Sequence, residues 1–181
     1  MEKRKRTVPF RCLTFSFALL LLLAIASSSV VWADSGADTF TILSGLNVSR
    51  ASSNDDTITL RVTGTLSVHP KSITARGTYV HKDASGATLE TGTLTALALL
   101  SFDDFGSLPP PNTTVHGGRA LARVHLTPSG GGDGSDAVLE IICTIDANPA
   151  FADDEGMRLA VQDGINFNKI ERGATLFIDA I

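Results

Sequence analysis

The stretch Thr57 to Val68, TITLRVTGTLSV, limits the fold more than any other part of the chain. Ile58, Leu60, Val62, Leu66 and Val68 fall on one face, with Gly64 among them, and Thr57, Thr59, Arg61, Thr63, Thr65 and Ser67 fall on the other. A period of two describes a strand with one dry and one wet face. Val, Ile and Thr also suit a pleated surface. A strand of this length cannot stand alone, so the rest of the chain must pair with it.

Candidate partners come at short intervals. Thr39 to Leu46 reads as a first strand, and Ser52 to Asp56, SSNDD, as turn chemistry. His69-Pro70-Lys71 ends the second strand, since proline cannot continue a ladder. A third strand spans Ser72 to His81, with Ile73, Ala75, Gly77 and Tyr79 on one face. His69 and His81 would then lie at opposite ends of a hairpin. Lys82 to Gly86 reads as a hairpin loop. A long fourth strand, Ala87 to about Phe102, is expected to bend or split near Ala96 to Ala98. Asp103 to Gly118, with three prolines at 109 to 111, reads as the longest loop. Arg119 to Thr127 and Val138 to Ile145 read as strands, and MRLAVQ, INFN and TLFIDAI as shorter ones.

These signals predict an all-β fold: a single-domain antiparallel β-barrel of about eight to ten strands, with a β-sandwich as the alternative. Gly64, Gly77 and Gly92 each fall mid-strand. Interior glycine weakens a strand, and strong coiling of a closing sheet is a reason to keep it, which favours the barrel.

The N-terminal region is different in kind. Lys3, Arg4, Lys5, Arg6 and Arg11 precede the apolar run Phe15 to Ala26, and Val31 and Ala33 stand at signal-peptidase spacing. Residues 1–33 read as a secretory signal peptide cleaved after Ala33, and 34–181 as the mature domain. The apolar run is short of the ~20 residues that a spanning helix needs. The expected location is therefore secreted, with no membrane association after cleavage. Five of the 15 basic and one of the 19 acidic residues lie in the leader, leaving 10 basic against 18 acidic. That balance argues against nucleic acid and against anionic membranes.

Cys12 falls in the leader, so Cys143 is the mature chain's one thiol and no intrachain disulfide is expected. In EIICTI it reads as a buried small hydrophobe.

Candidate chemistry is sparse. Gly131 to Leu139, GGDGSDAVL, matches one copy of the calcium nonapeptide of β-rolls and makes Asp133 and Asp136 weak calcium candidates. One copy supplies too few oxygens for calcium, and a glycine-rich hairpin explains the same string. Asp103-Asp104 and Asp153-Asp154-Glu155 read as solvated carboxylates. The four histidines lack metal spacing and read as solvent-facing. His125 shares a face with Arg119 and Arg123, and with His116 these make a candidate ligand or anion site. Asn47 and Asn112 head N-glycosylation sequons. No catalytic residue is assigned and no cofactor is expected, since no nucleophile elbow, P-loop or dinucleotide fingerprint is present.

The pieces GGRALARVHLTPSGG, LEIICTI, NPAF, EGMRLAV, INFN and GATLF, between Gly117 and Phe177, resemble a family of uncharacterised secreted bacterial all-β proteins. That resemblance implies export and a β-fold and transfers no functional residue. In size, leader and all-β character the chain is also similar to dirigent and allene-oxide-cyclase-like barrels, an analogy of architecture alone. The leading expectation is a non-enzymatic binding or structural module, acting through 103–118 and nearby strand ends on a small molecule or an extracellular partner. The competing expectation is a lumen-type barrel enzyme or carrier for a small apolar metabolite. A third is a matrix or surface-layer component assembling through strand edges.

Overall fold

The structure, a computed structural model, describes residues 39–145 and 155–180. Those residues form β1 (Thr39–Ser44), β2 (Asn47–Arg50), β3 (Thr57–Ser67), β4 (Ser72–Lys82), β5 (Thr88–Ser107), β6 (Val115–Pro128), β7 (Ser135–Cys143), β8 (Gly156–Val161), β9 (Asn166–Phe167), β10 (Lys169–Arg172) and β11 (Thr175–Asp179). All eleven belong to one antiparallel sheet, and no helix occurs among the described residues. The expected leader, with Cys12 and the cut expected after Ala33, and Asp153-Asp154 lie outside the described residues.

β3 is the hub, as its alternation requires. Its whole length pairs with β4, from Thr57↔Lys82 to Ser67↔Ser72. Its other edge is shared, with Asn47 to Arg50 along one end and Thr39 to Ile42 along the other. β4 pairs β5, β5 pairs β6, β6 touches β11, and β11 pairs β1 back beside β3. Backbone pairing therefore runs through six strands and returns to its start. The circuit is uneven: β6 and β11 share only Phe177↔His116 and Ile178↔Val115. Toward the other end of β6, β7, β8 and β9 continue the sheet. β9 and β10 are the path's two extremities, yet only Asn168 separates them in sequence. Its Oδ1 accepts from the Ser52 amide at 3.2 Å and the Ser52 hydroxyl at 2.7 Å.

Three inward glycines let the hub coil. Gly64 stands opposite Ala75, Gly77 opposite Val62, and Gly92 opposite Tyr79, itself opposite Leu60. The three step diagonally across β3, β4 and β5. A Cβ at Gly64, Gly77 or Gly92 would lie 2.2, 2.2 or 2.3 Å from a carbonyl oxygen of the facing strand. The strands cross too closely there for any side chain, as a sharply coiled sheet demands.

β5 departs from simple alternation for a visible reason. Its register against β6 slips between Ala96 and Ala98, between Leu99 and Ser101, and between Asp104 and Gly106. The extra residues are Leu97, Leu100 and Phe105. Each bulge flips the parity of the residues beyond it, so Leu94 and Leu99 are both buried while Leu97 and Leu100 are exposed. The bend expected near Ala96 to Ala98 is the first of these bulges.

Two expectations need correction. The loop expected over 103–118 is shorter, because 103–107 extend β5 and 115–118 begin β6, leaving 108–114. Gly118 is a strand residue whose absent side chain makes room for the Phe102 ring, 3.0 Å from where a Cβ would stand. The second concerns Asn47 to Ser49, read only as a sequon and not as a strand, which lies in strand β2 (Asn47–Arg50). Its inward residues are polar, so hydrophobic periodicity could not reveal it.

Those polar residues close a seam. Asn47, Ser49 and Thr175 are buried. Ser49 Oγ donates to the Met157 carbonyl and Thr175 Oγ1 to the Ile142 carbonyl. Asn47 Oδ1 accepts from the Ala174 amide at 3.2 Å. Side chains thus satisfy backbone groups where strands meet without a full ladder. Apart from Asp56, the remaining interior is largely apolar, with Ile42, Leu60, Leu66, Leu139, Ile141 and Leu159 among its largest buried members. At the β1–β11 end, Phe40, Phe102 and Phe177 pack in tilted and edge-on contacts with centroids 4.9 and 5.1 Å apart.

Candidate functional site

At the end of the interior away from the Phe40 cluster, the strands frame a cavity of about 270 Å³ that opens to solvent. Ile58, Leu126, Val161, Ile165 and Phe167 give it apolar walls, and Tyr79, His81, Glu90 and Ser135 bring polar groups to it. Tyr79 and His81 continue the inward parity of Ala75 on β4. Glu90 is the cross-strand partner of His81 and precedes inward Gly92 and Leu94 by even steps. The cavity is where strand alternation keeps running inward after the apolar residues have stopped.

His81 is held from behind. Its Nε2 lies 3.0 Å from Asp56 Oδ2, and its ring stands edge-on to Phe167 at 5.3 Å. Asp56 is 7% exposed and ends the tight turn between β2 and β3. Its carbonyl accepts from the Ala51 amide at 2.8 Å, and its own amide donates to Asn54 Oδ1 at 3.2 Å. Asp55 takes a positive φ of 60° to make the turn, a conformation that Asp tolerates better than most residues. The SSNDD turn therefore does more than reverse the chain: it delivers a carboxylate to β4.

Tyr79 is 2% exposed, and its hydroxyl donates to Glu90 Oε1. Burial pushes the phenol above its ordinary value of 10, and the hydrogen bond and charge of Glu90 push it further. A folded-state value above the unfolded one means that this group's contribution is fully present below pH 10. It is lost as pH rises beyond that point. Tyr79 is the chain's one tyrosine, so ultraviolet titration reads it directly. The folded protein is expected to keep its phenol un-ionised past pH 10, and Glu90→Gln to bring ionisation to lower pH. A phenol titrating normally in the folded protein would contradict this environment.

The residues singled out from sequence do not gather in one place. His116 lies at the opposite end from the cavity, edge-on to Phe40 at 5.0 Å, with Nδ1 3.2 Å from Asp104 Oδ1 and Nε2 3.1 Å from Asp179 Oδ1. Arg119, Arg123 and His125 share the outer face of β6, separate from His116. Arg119 Nε donates to Glu140 Oε1 at 2.5 Å, and Glu140 Oε2 also accepts from Arg158 at 3.1 Å. His125 Nδ1 is 2.8 Å from Asp136 Oδ1, its direct cross-strand partner, while Arg123 is exposed. Three of the four candidates thus form three separate arrangements, with Arg123 exposed apart from them, and do not make one anion site. The histidines expected to face solvent include two that do not: the side chains of His81 and His116 are only 19% and 16% exposed.

Asp133 sits in the β6–β7 hairpin, where Gly131, Gly132 and Gly134 all take positive φ. The hairpin explanation of GGDGSDAVL holds, in an antiparallel sheet unlike a parallel β-roll. Among the described residues, no group of three or more His, Cys, Asp or Glu could hold a metal ion. Asn47 cannot present a glycan in this fold: it is buried, and its amide also donates to the Gly45 carbonyl at 3.3 Å. Asn112 is exposed in the 108–114 loop. Cys143 is buried, and burial pushes its thiol up, away from the thiolate a nucleophile needs. Glu155, expected as a solvated carboxylate, instead accepts from Thr144 Oγ1 and the Thr175 amide, each at 3.3 Å.

Comparison with protein-family models, curated proteins and solved structures finds no match. The site therefore stands on its own geometry. Its principal polar residues, Asp56, Tyr79, His81 and Glu90, were not among those singled out for ligand binding. The parity of β4 carries the available signal, since Ile73, Ala75, Gly77 and Tyr79 lead by twos to His81.

Proposed function

We propose that the chain is an exported, non-enzymatic small-molecule binding protein. In this reading the sheet is a small irregular barrel, and the ligand occupies the cavity between His81 and Phe167. Export rests on the leader at residues 1–33. The barrel reading is supported by the six-strand circuit, the junction at Asn168 and the glycine diagonal. The observation that carries the binding reading is the inward placement of Tyr79 and His81 around an apolar cavity, with the exposed Glu90 at its rim. Polar groups on an inner face are costly unless bonded, and stability alone would favour apolar residues there. At about 270 Å³ the space falls just short of the ~300 Å³ typical for drug-sized ligands, so the ligand is small.

Chemical-shift mapping with 1-hexanol on the protein lacking residues 1–33 tests this. Saturable shifts confined to Tyr79, His81, Val161 and Phe167 are expected, and Ser135→Phe, at the rim, should abolish them. No saturable binding, or binding that ignores Ser135→Phe, would refute the cavity as the ligand site. Mass analysis of the exported chain, expected to start at Asp34, tests the leader.

A second reading has its own support. A histidine backed by a carboxylate and facing a cavity is the arrangement of a general base held by an orienting group. If the protein is an enzyme, His81→Gln would abolish turnover while leaving hexanol affinity in place.

A further inference from the structure

Building on the cavity as a ligand site, we infer that the ligand's head group is a cation, an ammonium on a short apolar body. The argument is an inventory of donors and acceptors. An ionised carboxylate only accepts, so the His81 nitrogen facing Asp56, Nε2, carries a proton. In the neutral ring this leaves Nδ1 as an acceptor, and among the described residues no hydrogen bond engages it. The Tyr79 proton is already committed to Glu90. Glu90 itself can only accept. Ser135, at the rim, can donate or accept and does not discriminate.

Charge points the same way. No Lys or Arg lines the cavity, while Glu90 lines it and Asp56 stands directly behind His81. Two carboxylates face one imidazole, so the site is negative whether or not His81 carries a second proton. With His81 neutral, a carboxylate or phosphate ligand would meet repulsion and no buried side-chain donor. An ammonium would meet Glu90 and the His81 Nδ1, with its hydrocarbon portion against Ile58, Val161, Ile165 and Phe167. The nearby Phe167 and Tyr79 rings also favour a cation over an anion.

The test compares three probes of equal length, hexylammonium, 1-hexanol and hexanoate, by chemical-shift titration at pH 7. Hexylammonium is expected to bind about tenfold more tightly than hexanoate, with hexanol between them. The overall acidity of the chain could create a general preference for cations, so the decisive arm is Glu90→Gln. That change keeps a hydrogen-bond acceptor for Tyr79. It should cut the ratio of hexylammonium to hexanol affinity, each measured on the same variant, at least about threefold. Hexanoate binding as tightly as hexylammonium would overturn the inference. So would a preference that persists undiminished in a Glu90→Gln, Asp56→Asn double variant with wild-type unfolding behaviour. In both cases intact hexanol binding would leave the cavity standing as the ligand site. Failure of all three probes would remove the site and its head-group preference together.

Discussion

Replacing Gly77 by valine is expected to destabilise the fold by about 3 kcal/mol or more, a large share of the total stability of a domain this size. Valine is the better strand former, and on an open strand it would gain up to ~1 kcal/mol over glycine. Sterics outweigh that gain here. The first carbon of the side chain would lie 2.2 Å from the Arg61 carbonyl oxygen and 3.0 Å from Val62 Cγ2. The nearer atom belongs to the backbone of the fully paired β3–β4 ladder and cannot swing away. Gly130 makes a control, since nothing lies within 4 Å of a Cβ added there. Gly130→Val should fall within about 0.5 kcal/mol of wild type. Urea unfolding followed by circular dichroism measures both. Equal stability of the two variants would mean that the glycine diagonal is not where the sheet coils.

Phe177→Ala is expected to cost about 3–5 kcal/mol. Phe177 is fully buried and meets Phe102 at 5.1 Å in a T-shaped contact of 69°. It also sits in the two-residue pairing of β11 with β6, the weakest link of the circuit. Removing the ring takes away buried area at the point with fewest backbone bonds to compensate. Phe167→Ala is the informative comparison. Its ring borders the cavity, so the added space joins one already present and can admit water, and the cost should be smaller. A cost below about 1 kcal/mol for Phe177→Ala would remove the aromatic cluster as the element that secures the far end.

The parts of this fold legible in sequence are those where hydrophobic alternation reports burial. β3, β4, β6 and β7 are recoverable because Ile58, Ala75, Val124 and Leu139 occupy inward positions at strict twos. β2 is not, because Asn47 and Ser49 are inward for their hydrogen bonds across the seam. β10 escapes for a related reason: Lys169 to Arg172 remain largely exposed and carry no apolar face. The bulges of β5 erase its parity, so Asp103 to Ser107 looks like loop. The candidate site suffers from a different blindness. The four principal polar residues come from the β2–β3 turn, β4 and β5, and their meeting depends on register between strands. Register is a property of pairs, and no single segment declares it. Spacing within one segment points instead to Arg119, Arg123 and His125, which do share an outer strand face, where Arg119 and His125 pair with Glu140 and Asp136.

The pairing of β1 with β11 has a consequence for how the molecule is made. Phe40 faces Asp179 and Ser44 faces Thr175, and the Ala180 amide donates to the Thr39 carbonyl at 2.8 Å. A ribosome produces β11 after the other ten strands. Until then, the β1 edge that will receive it stays open while everything between is already assembling. Contacts of such long sequence separation form slowly. A chain made from its N-terminus must therefore keep β1 waiting, shielded or simply unpaired, until β11 emerges beside it.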